Sequence, residues 1–115
     1  HMNTRHEVIA FCLTLPDSYE DYPFHDANWT VMRYRKNNKG FAFVYKRDGR
    51  IWINVKCSPD WAEVWRRTFP AVMPAYHMNK QHWNSIILDG SMDDQDVQTM
   101  IAESYRLISQ NKHHS

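Results

Sequence analysis

The amino-acid sequence predicts one α+β domain, an antiparallel sheet with helices packed on one face, in the order α-β-β-β-α-β-α. Three consecutive runs alternate between apolar and polar residues and are joined by turn sequences, a pattern typical of an antiparallel meander. Apolar residues at helical spacing precede and follow these runs, and 115 residues suffice for one core. The domain is expected to span residues 3–110, with a cloning remnant at 1–2 and a frayed tail at 111–115.

The first helix is predicted over about residues 3–15. Thr4 and Glu7 form a capping-box pattern at its start, and Pro16 ends it. The apolar positions that share one face of this helix are Val8, Phe11, Cys12 and Leu15. The segment 17–28 is acidic and aromatic without a clear period, so we expect a structured loop there.

Three strands are predicted at residues 29–35, 40–46 and 50–57. The connecting sequences KNNKG and RDG supply the residues that hairpin turns favour. The side chains expected to face the core are Phe41, Phe43 and Tyr45 on the second strand and Ile51, Ile53 and Val55 on the third. This meander is the centre of the predicted sheet.

The second half of the chain is predicted to hold two helices and one strand. The first of these helices spans 59–69, because Ser58 suits its N-cap and Pro59 suits its first turn. Its inner stripe is expected to consist of Trp61, Val64, Trp65 and Thr68. A turn between two prolines leads to a strand at 84–88, and the last helix covers 93–109.

Basic residues are concentrated in the predicted meander. The net charge is +1, yet residues 33–56 contain eight Lys and Arg residues and a single Asp. The side chains expected on the outer face of the sheet include Arg33, Arg35, Lys46, Trp52, Asn54 and Lys56. Cations bind phosphates and an aromatic ring can stack on a base, so this surface, together with Lys80, predicts contacts with nucleic acid. In the alternative interpretation, Trp52 packs under a loop and the arginines only keep the sheet soluble.

The string YHMNKQHWN, residues 76–84, is the densest polar motif. A metal site is not expected, because the five-residue spacing of His77 and His82 fits neither a helix nor a strand. Cys57 with a histidine base could serve nucleophilic catalysis, but the chain has no nucleophile elbow and no glycine-rich phosphate loop, so no enzymatic activity is expected. The remaining interpretation is a polar junction in which side chains bond free backbone groups. Its members would be Tyr76, His77, Asn79, His82 and Trp83.

Four strings, YEDYPF (19–24), INVKC (53–57), PAYHMNKQHWNSIILDG (74–90) and ESYRLI (103–108), together resemble the MmcQ/YjbR family of small bacterial proteins. The resemblance implies a frataxin-like (CyaY-like) fold, also described as double-wing, and a DNA-binding function without catalytic residues. The contacts that it suggests are Lys56, Tyr76, His77, Asn79, Lys80, His82, Trp83 and Asn84. Frataxins bind iron through an acidic first helix, whereas the first helix here contains one acid, so no iron site is expected.

Two functions of different classes follow. The first is a non-enzymatic bacterial module that binds DNA or another nucleic acid through the basic meander and the 76–84 string. The alternative is a protein-interaction or small-ligand-binding module that uses the groove beside Tyr76 to Asn84. Acidic surroundings contributed by residues 17–26 would favour the alternative, because they repel phosphate. No cofactor and no membrane contact are expected, two cysteines in apolar patterns indicate the cytoplasm, and the oligomeric state is not predicted.

Overall fold

The computed structural model describes residues 2–110, so the predicted frayed tail 111–115 lies outside the described residues. The described chain forms an antiparallel sheet of six strands with three helices packed on one face, which confirms the α+β class. The helices are α1 (Arg5–Cys12), α2 (Pro59–Thr68) and α3 (Asp94–Ser109). The strands are β1 (Ser18–Asp21), β2 (Thr30–Tyr34), β3 (Lys39–Arg47), β4 (Arg50–Lys56), β5 (Val72–Pro74) and β6 (Trp83–Ile87). They lie side by side in the order β1-β2-β3-β4-β6-β5.

Two of these strands are not predicted by the sequence pattern. β1 lies in the segment expected to be a loop and pairs with β2, from Ser18 opposite Tyr34 to Asp21 opposite Val31. β5 occupies the turn between the two prolines and pairs with β6. They are edge strands of four and three residues, too short for alternation to show in the sequence. The observed order is therefore α-β-β-β-β-α-β-β-α.

The first helix is shorter than the predicted 3–15 but begins as expected. The Thr4 side chain accepts the Glu7 N–H, and the Glu7 carboxylate accepts the Thr4 N–H, so the capping box is confirmed. Val8 and Cys12 are fully buried against the sheet. Met2, outside the predicted domain, also packs into the core and is 8% exposed.

The longest helix, α3, packs across β2, β3 and β4. Its buried residues are Val97, Met100, Ile101, Ser104 and Ile108, which recur at helical spacing along one face. Ser104 donates through Oγ to the Phe41 carbonyl oxygen (2.6 Å) and accepts the Lys56 N–H (2.8 Å). α3 is thereby bonded to two neighbouring strands. Among the described residues, no helix combines the length and apolar character that crossing a bilayer requires.

A β-bulge shifts the alternation of side chains along β3. Met32 of β2 pairs with Ala42, whereas the next residue, Arg33, pairs with Gly40, so that Phe41 is the extra residue. Phe41 and Ala42 are both buried in the helix-side core. Uninterrupted alternation from Phe41 would put Phe43 and Tyr45 on the helix side. Because of the bulge, each side chain of β3 after Phe41 points to the other face instead.

Phe43 and Tyr45 consequently face away from the helices. They pair with Asn54 and Trp52, whereas Ile53 belongs to the helix-side core. The prediction that Phe43 and Tyr45 join Ile53 in that core is wrong, because strict alternation does not survive the bulge. Tyr45 is nevertheless only 1% exposed, so the second face of the sheet is also covered at this point.

The apolar stripe of α2 faces solvent in large part. Trp61 is 54% exposed and Val64 41% exposed, and Thr68 is exposed as well. The prediction that these three residues form the inner stripe is wrong. The helix instead docks through Ala62, which is 1% exposed, and through the partly buried Trp65.

Candidate functional site

The face of the sheet opposite the helices is covered at its centre by residues 75–82, the covering loop, which joins β5 to β6. Beneath it lies the fully buried Asn54, whose Oδ1 accepts from Tyr45 Oη (2.8 Å) and Ser85 Oγ (2.5 Å). Asn54 Nδ2 donates to the Tyr76 carbonyl oxygen (2.8 Å), and the Tyr76 N–H donates to Ser85 Oγ (3.0 Å). These bonds fasten the covering loop to the sheet. Among residues 2–110, no buried side-chain nitrogen or oxygen lacks a partner.

An aromatic layer surrounds this hydrogen-bonded network. The Tyr45 ring stacks on Trp29 with centroids 4.1 Å apart and on Tyr76 with centroids 5.7 Å apart. The Arg47 guanidinium lies 4.0 Å from the Tyr76 ring centroid and 4.5 Å from that of Trp52. Arg47 is 37% exposed at its side chain, so these cation–π contacts lie at the edge of the layer and cover the two rings from solvent. The aromatic layer therefore supports the covering loop and the surface beside it.

Trp52 and Asn54 are not surface residues. Alternation correctly places both on the face opposite the helices, but Trp52 is 6% exposed and Asn54 is fully buried. The expectation that they are open to solvent is wrong, and the alternative interpretation, in which Trp52 packs under a loop, is confirmed. The cause is the covering loop together with Arg47.

The polar-junction interpretation of the 76–84 string is confirmed at Asn79. Its Oδ1 accepts the N–H groups of Gln81 (2.8 Å) and His82 (3.3 Å), which turns the chain back toward β6. Arg66 of α2 donates to the Lys80 carbonyl oxygen and so holds the far end of the loop. Lys80 itself is exposed.

The last two residues of the string lie on opposite faces of the sheet. The Trp83 ring meets Phe43 edge-on, with centroids 5.6 Å apart, on the face of the covering loop. Asn84 is fully buried on the helix side, where its Oδ1 accepts from Arg66 Nε (2.6 Å) and its Nδ2 donates to the Ala62 carbonyl oxygen (3.3 Å). Asn84 thus ties α2 to β6 and contributes nothing to the open surface.

His77 is held in an unusual backbone conformation. Its φ angle is +62°, in the left-handed region that costs a residue with a side chain roughly 1 kcal/mol or more. Its ring lies 3.9 Å from that of Tyr76, centroid to centroid, and the residue is exposed. The fastened neighbours of His77 hold it in place, since Tyr76 is bonded to the sheet through both its N–H and its carbonyl oxygen.

Beside His77 an aromatic cleft of about 380 Å³ opens at the edge of the covering loop. The residues that line it are Phe24, Asp26, Trp29, Phe43, His77 and Met78. The Phe24 ring meets Trp29 edge-on at 6.3 Å and is 52% exposed, which makes it one wall of the cleft. One carboxylate oxygen of Asp26 accepts the Asn28 N–H (2.8 Å), and no hydrogen bond within residues 2–110 engages the other.

Sequence reasoning found His77 but not the other residues of the aromatic cleft as a group. Phe24, Asp26 and Trp29 come from the segment expected to be a loop and the start of the strand that follows it. Their only signal was the density of aromatic and acidic residues in that segment. Phe43 was assigned to the helix-side core, and the bulge reverses that assignment.

Acidic residues neutralise part of the basic meander. Because β1 pairs with β2, the Asp21 carboxylate lies 2.7 Å from Arg33 Nε. The Asp17 carboxylate lies 3.8 Å from Lys36 Nζ in the adjoining turn. Both acids come from the 17–26 segment, whose proximity to the meander favours protein or small-ligand binding over nucleic-acid binding. The net positive potential of this surface is correspondingly reduced.

The other cations singled out from the sequence do not share one surface. The Arg35 guanidinium lies 4.7 Å from the Tyr19 ring centroid on the face opposite the helices. Lys56 lies on the same face and is half-buried. Lys46 pairs with Ile51, whose face is the helix side, so the prediction that it joins the outer set is wrong because of the same bulge.

Cys57 lies in an environment that disfavours the thiolate. Its side chain is 3% exposed, and burial raises the pKa of the thiol to about 11. The contact with His82 is a backbone one, from the Cys57 N–H to the His82 carbonyl oxygen (2.9 Å). Within residues 2–110, no three His, Cys, Asp or Glu side chains come close enough together to hold a metal ion.

Comparison with known proteins shows which family this chain resembles. The family model YjbR matches residues 13–107. The Escherichia coli (strain K12) protein named Uncharacterized protein YjbR is 29% identical over 100 residues, which cover 87% of this chain and 82% of that protein. The Bacillus subtilis (strain 168) protein named Uncharacterized protein YyaQ is 26% identical over 117 residues, covering 92% of this chain and 98% of that protein.

Solved structures show the same fold. A crystal structure of a Deinococcus radiodurans protein with the domain DUF419 superposes with a TM-score of 0.87 at 26% identity, over 99% of this chain and 84% of that one. A crystal structure from Pseudomonas syringae gives a TM-score of 0.81 at 27% identity, over 91% of this chain and 98% of that one. Since the family model spans most of the chain and includes the whole aromatic cleft, the chain belongs to the YjbR family.

Proposed function

We propose that this protein is a non-enzymatic binding module whose aromatic cleft takes a small organic ligand. The observation that carries the proposal is the cleft itself, an opening lined by aromatic rings beside a loop that is fastened to the sheet by buried hydrogen bonds. Its volume of about 380 Å³ lies within the range of about 300–1,000 Å³ that ligand pockets occupy.

The lining of the cleft indicates the chemistry of the ligand. Trp29 and Phe43 offer flat apolar surface, and Phe24 forms a wall that can close against a planar group. Asp26 is the one carboxylate among the lining residues. A planar, apolar body that carries an amine or another cationic group suits this arrangement, because the cation can lie over a ring and pair with the carboxylate.

The rigidity of the site supports binding over catalysis. The left-handed backbone at His77 and the buried bonds of Tyr76 fix the cleft before a ligand arrives, which lowers the entropic cost of binding. The protonated, buried thiol of Cys57 lacks the activation that a nucleophile needs.

The two cysteines are unpaired thiols, which supports the cytoplasmic location expected from the sequence.

Nucleic-acid binding through the meander stays a prediction with weaker support. Arg33 is paired with Asp21 and Lys36 with Asp17, so a phosphate would have to compete with carboxylates already in place. The aromatic residue expected to stack on a base, Trp52, is buried.

The proposal is tested by NMR titration of the labelled protein with two probes that share a ring system, tryptamine and indole-3-acetate. Tryptamine is expected to shift the indole N–H of Trp29 and the methyl of Met78 at millimolar concentration, whereas the carboxylate probe binds more weakly because Asp26 repels it. In the variant Asp26→Asn, which preserves the turn to Asn28, the two probes are expected to bind about equally.

The control variant is Asp48→Asn, which removes an exposed acid outside the cleft and should leave the preference for tryptamine unchanged. No shift at Trp29 or Met78 with either probe up to about 10 mM would overturn the proposal. A parallel titration with duplex DNA at about 50 and 200 mM salt tests the rival function, because phosphate contacts weaken steeply over that range.

A further inference from the structure

We propose that the exposed stripe of α2 is a self-association surface on which a second copy of this chain packs antiparallel. The α2 stripe consists of Trp61, Val64, Trp65 and Thr68, at spacings i, i+3, i+4 and i+7. This is the period of a helix face that is buried against another helix. In the single chain, however, Trp61 is 54% exposed and Val64 is 41% exposed.

The α2 stripe is an ordered aromatic surface. Trp61 lies 5.8 Å from Trp65, centroid to centroid, and Trp65 lies 5.8 Å from Phe69. A groove of about 470 Å³ runs beside these rings between α2 and α3. The charged residues of the groove, Glu103 and Arg106, are bonded to each other, so its chemistry favours an apolar occupant over an ion.

The order of charges along α2 selects a second copy as that occupant. Asp60, Glu63 and Arg67 lie at spacings i, i+3 and i+7 and form one flank of the α2 stripe. Within one chain Glu63 is compensated by Arg66 and Arg67, at 3.5 and 3.8 Å, and the Arg67 side chain stays 78% exposed, so it can pair with a second carboxylate. When a two-fold axis packs two α2 helices antiparallel, the charged flanks of both helices lie on the same side of the contact. The order of charges along one flank then runs opposite to that along the other.

Two ion pairs would result from that arrangement. Arg67 of each copy comes beside Asp60 of the other, at both ends of the contact. The tryptophans and Val64 pack across the axis between these pairs, which buries the apolar surface that the monomer exposes. A parallel two-fold arrangement would put the flanks of the two helices on opposite sides of the contact, so neither ion pair would form.

The length of α2 sets the expected affinity of the dimer. α2 has 10 residues and is therefore about 15 Å long, so the contact is at the small end of specific interfaces. We expect a reversible dimer that forms at concentrations on the order of 100 µM. This inference is independent of the aromatic cleft, which lies on the opposite face of the sheet.

Sedimentation velocity on the full chain from about 10 µM to 1 mM tests the proposal over the range in which such weak dimers assemble. The sedimentation coefficient is expected to rise with concentration toward that of a dimer. Trp61→Ala is expected to abolish the rise, whereas Tyr22→Ala, which removes a ring that is 51% exposed outside α2, leaves it unchanged. A chain that stays monomeric at 1 mM, or association that survives Trp61→Ala, would overturn the proposal.

A charge exchange tests the antiparallel geometry. Asp60→Arg and Arg67→Asp are each expected to weaken dimerisation about fivefold, because each breaks two surface ion pairs. The double variant restores the pairs with their signs reversed and is expected to regain most of the affinity. Circular dichroism checks that each variant is folded. Two variants that weaken dimerisation singly and do not compensate each other would contradict the antiparallel arrangement.

Discussion

Asn54 shows at the scale of one residue how the site is held. Its side-chain oxygen accepts from two hydroxyl groups and its nitrogen donates to the backbone of the covering loop. An amide side chain offers an acceptor oxygen and a separate donor nitrogen, which face in different directions. A carboxylate would lack the donor and an apolar side chain would lack both, so either would leave buried groups of Tyr45, Ser85 or Tyr76 unpaired.

His77 provides the first prediction at this scale. His77→Ala and His77→Gly both remove the ring, but only glycine adopts a φ of +62° without a steric penalty. We therefore expect His77→Gly to have a free energy of unfolding about 1 kcal/mol above that of His77→Ala. Urea unfolding at neutral pH measures the difference. Equal stabilities would mean that the left-handed conformation of His77 is not under strain.

The residue scale also shows what alternation in the sequence can and cannot predict. It assigned Trp52 and Asn54 to the face opposite the helices, which the structure confirms. It could not predict that residues about 22 positions further along the chain cover them, because no local pattern reports which segments meet in space. The same limit applies to the aromatic cleft, whose walls come from separate segments of the chain.

At the scale of elements, Ser104 joins α3 to the sheet at the bulge. Its hydroxyl donates to the carbonyl oxygen of Phe41, the extra residue of β3, and accepts the N–H of Lys56 at the end of β4. The bulge leaves the Phe41 backbone outside the regular ladder, and the serine supplies the partner that the neighbouring strand does not.

Ser104→Ala is therefore expected to destabilise the protein by about 2–3 kcal/mol, since two buried backbone groups lose their partner. The measurement is urea unfolding, with Ser109→Ala as the control. Ser109 is on the same helix and bonds only the Arg106 carbonyl oxygen at the surface. Losses of similar size in the two variants would contradict a special role for the Ser104 bonds.

The bulge also explains why the faces of β3 were mispredicted while its position was predicted well. Gly40 precedes the bulge, and a Cβ there would lie 2.8 Å from a ring carbon of Phe43 and 2.8 Å from Val31 Cγ1. In the sequence this glycine looked like part of a turn. Its actual role is a close packing contact within the sheet, which composition alone does not distinguish from a turn.

At the scale of the whole molecule, both faces of the sheet are covered at the centre, one by helices and one by the covering loop with its aromatic layer. Single-sided amphipathic alternation was expected, and it fails where strands are buried on both faces. α2 shows the reverse case, since a stripe of residues with the pattern of a buried face is exposed. A sequence pattern reports that a face is apolar and does not report which molecule covers it.

Burial on both faces gives the whole protein a predicted sensitivity to alkali. Burial raises the pKa of the Cys12 thiol to about 12 on the helix side, and it raises the pKa of the Tyr45 hydroxyl on the other side. Each group binds its proton more tightly in the folded state. The resulting stability is fully present below the pKa of the unfolded chain, which is 9.0 for the thiol, and is lost as the pH rises toward the folded value.

We therefore expect the free energy of unfolding to be nearly constant from about pH 7 to 8 and to fall above about pH 9. Cys12 should account for about 3 kcal/mol of the fall by pH 11, so Cys12→Ala should lose less stability over that interval, although it starts from a lower value because of the small cavity. Urea unfolding of both proteins, in the presence of a reducing agent, gives the comparison. Exposed tyrosines and lysines titrate equally in the wild-type protein and in Cys12→Ala. Parallel pH profiles of the two proteins would therefore mean that folding does not raise the pKa of the Cys12 thiol.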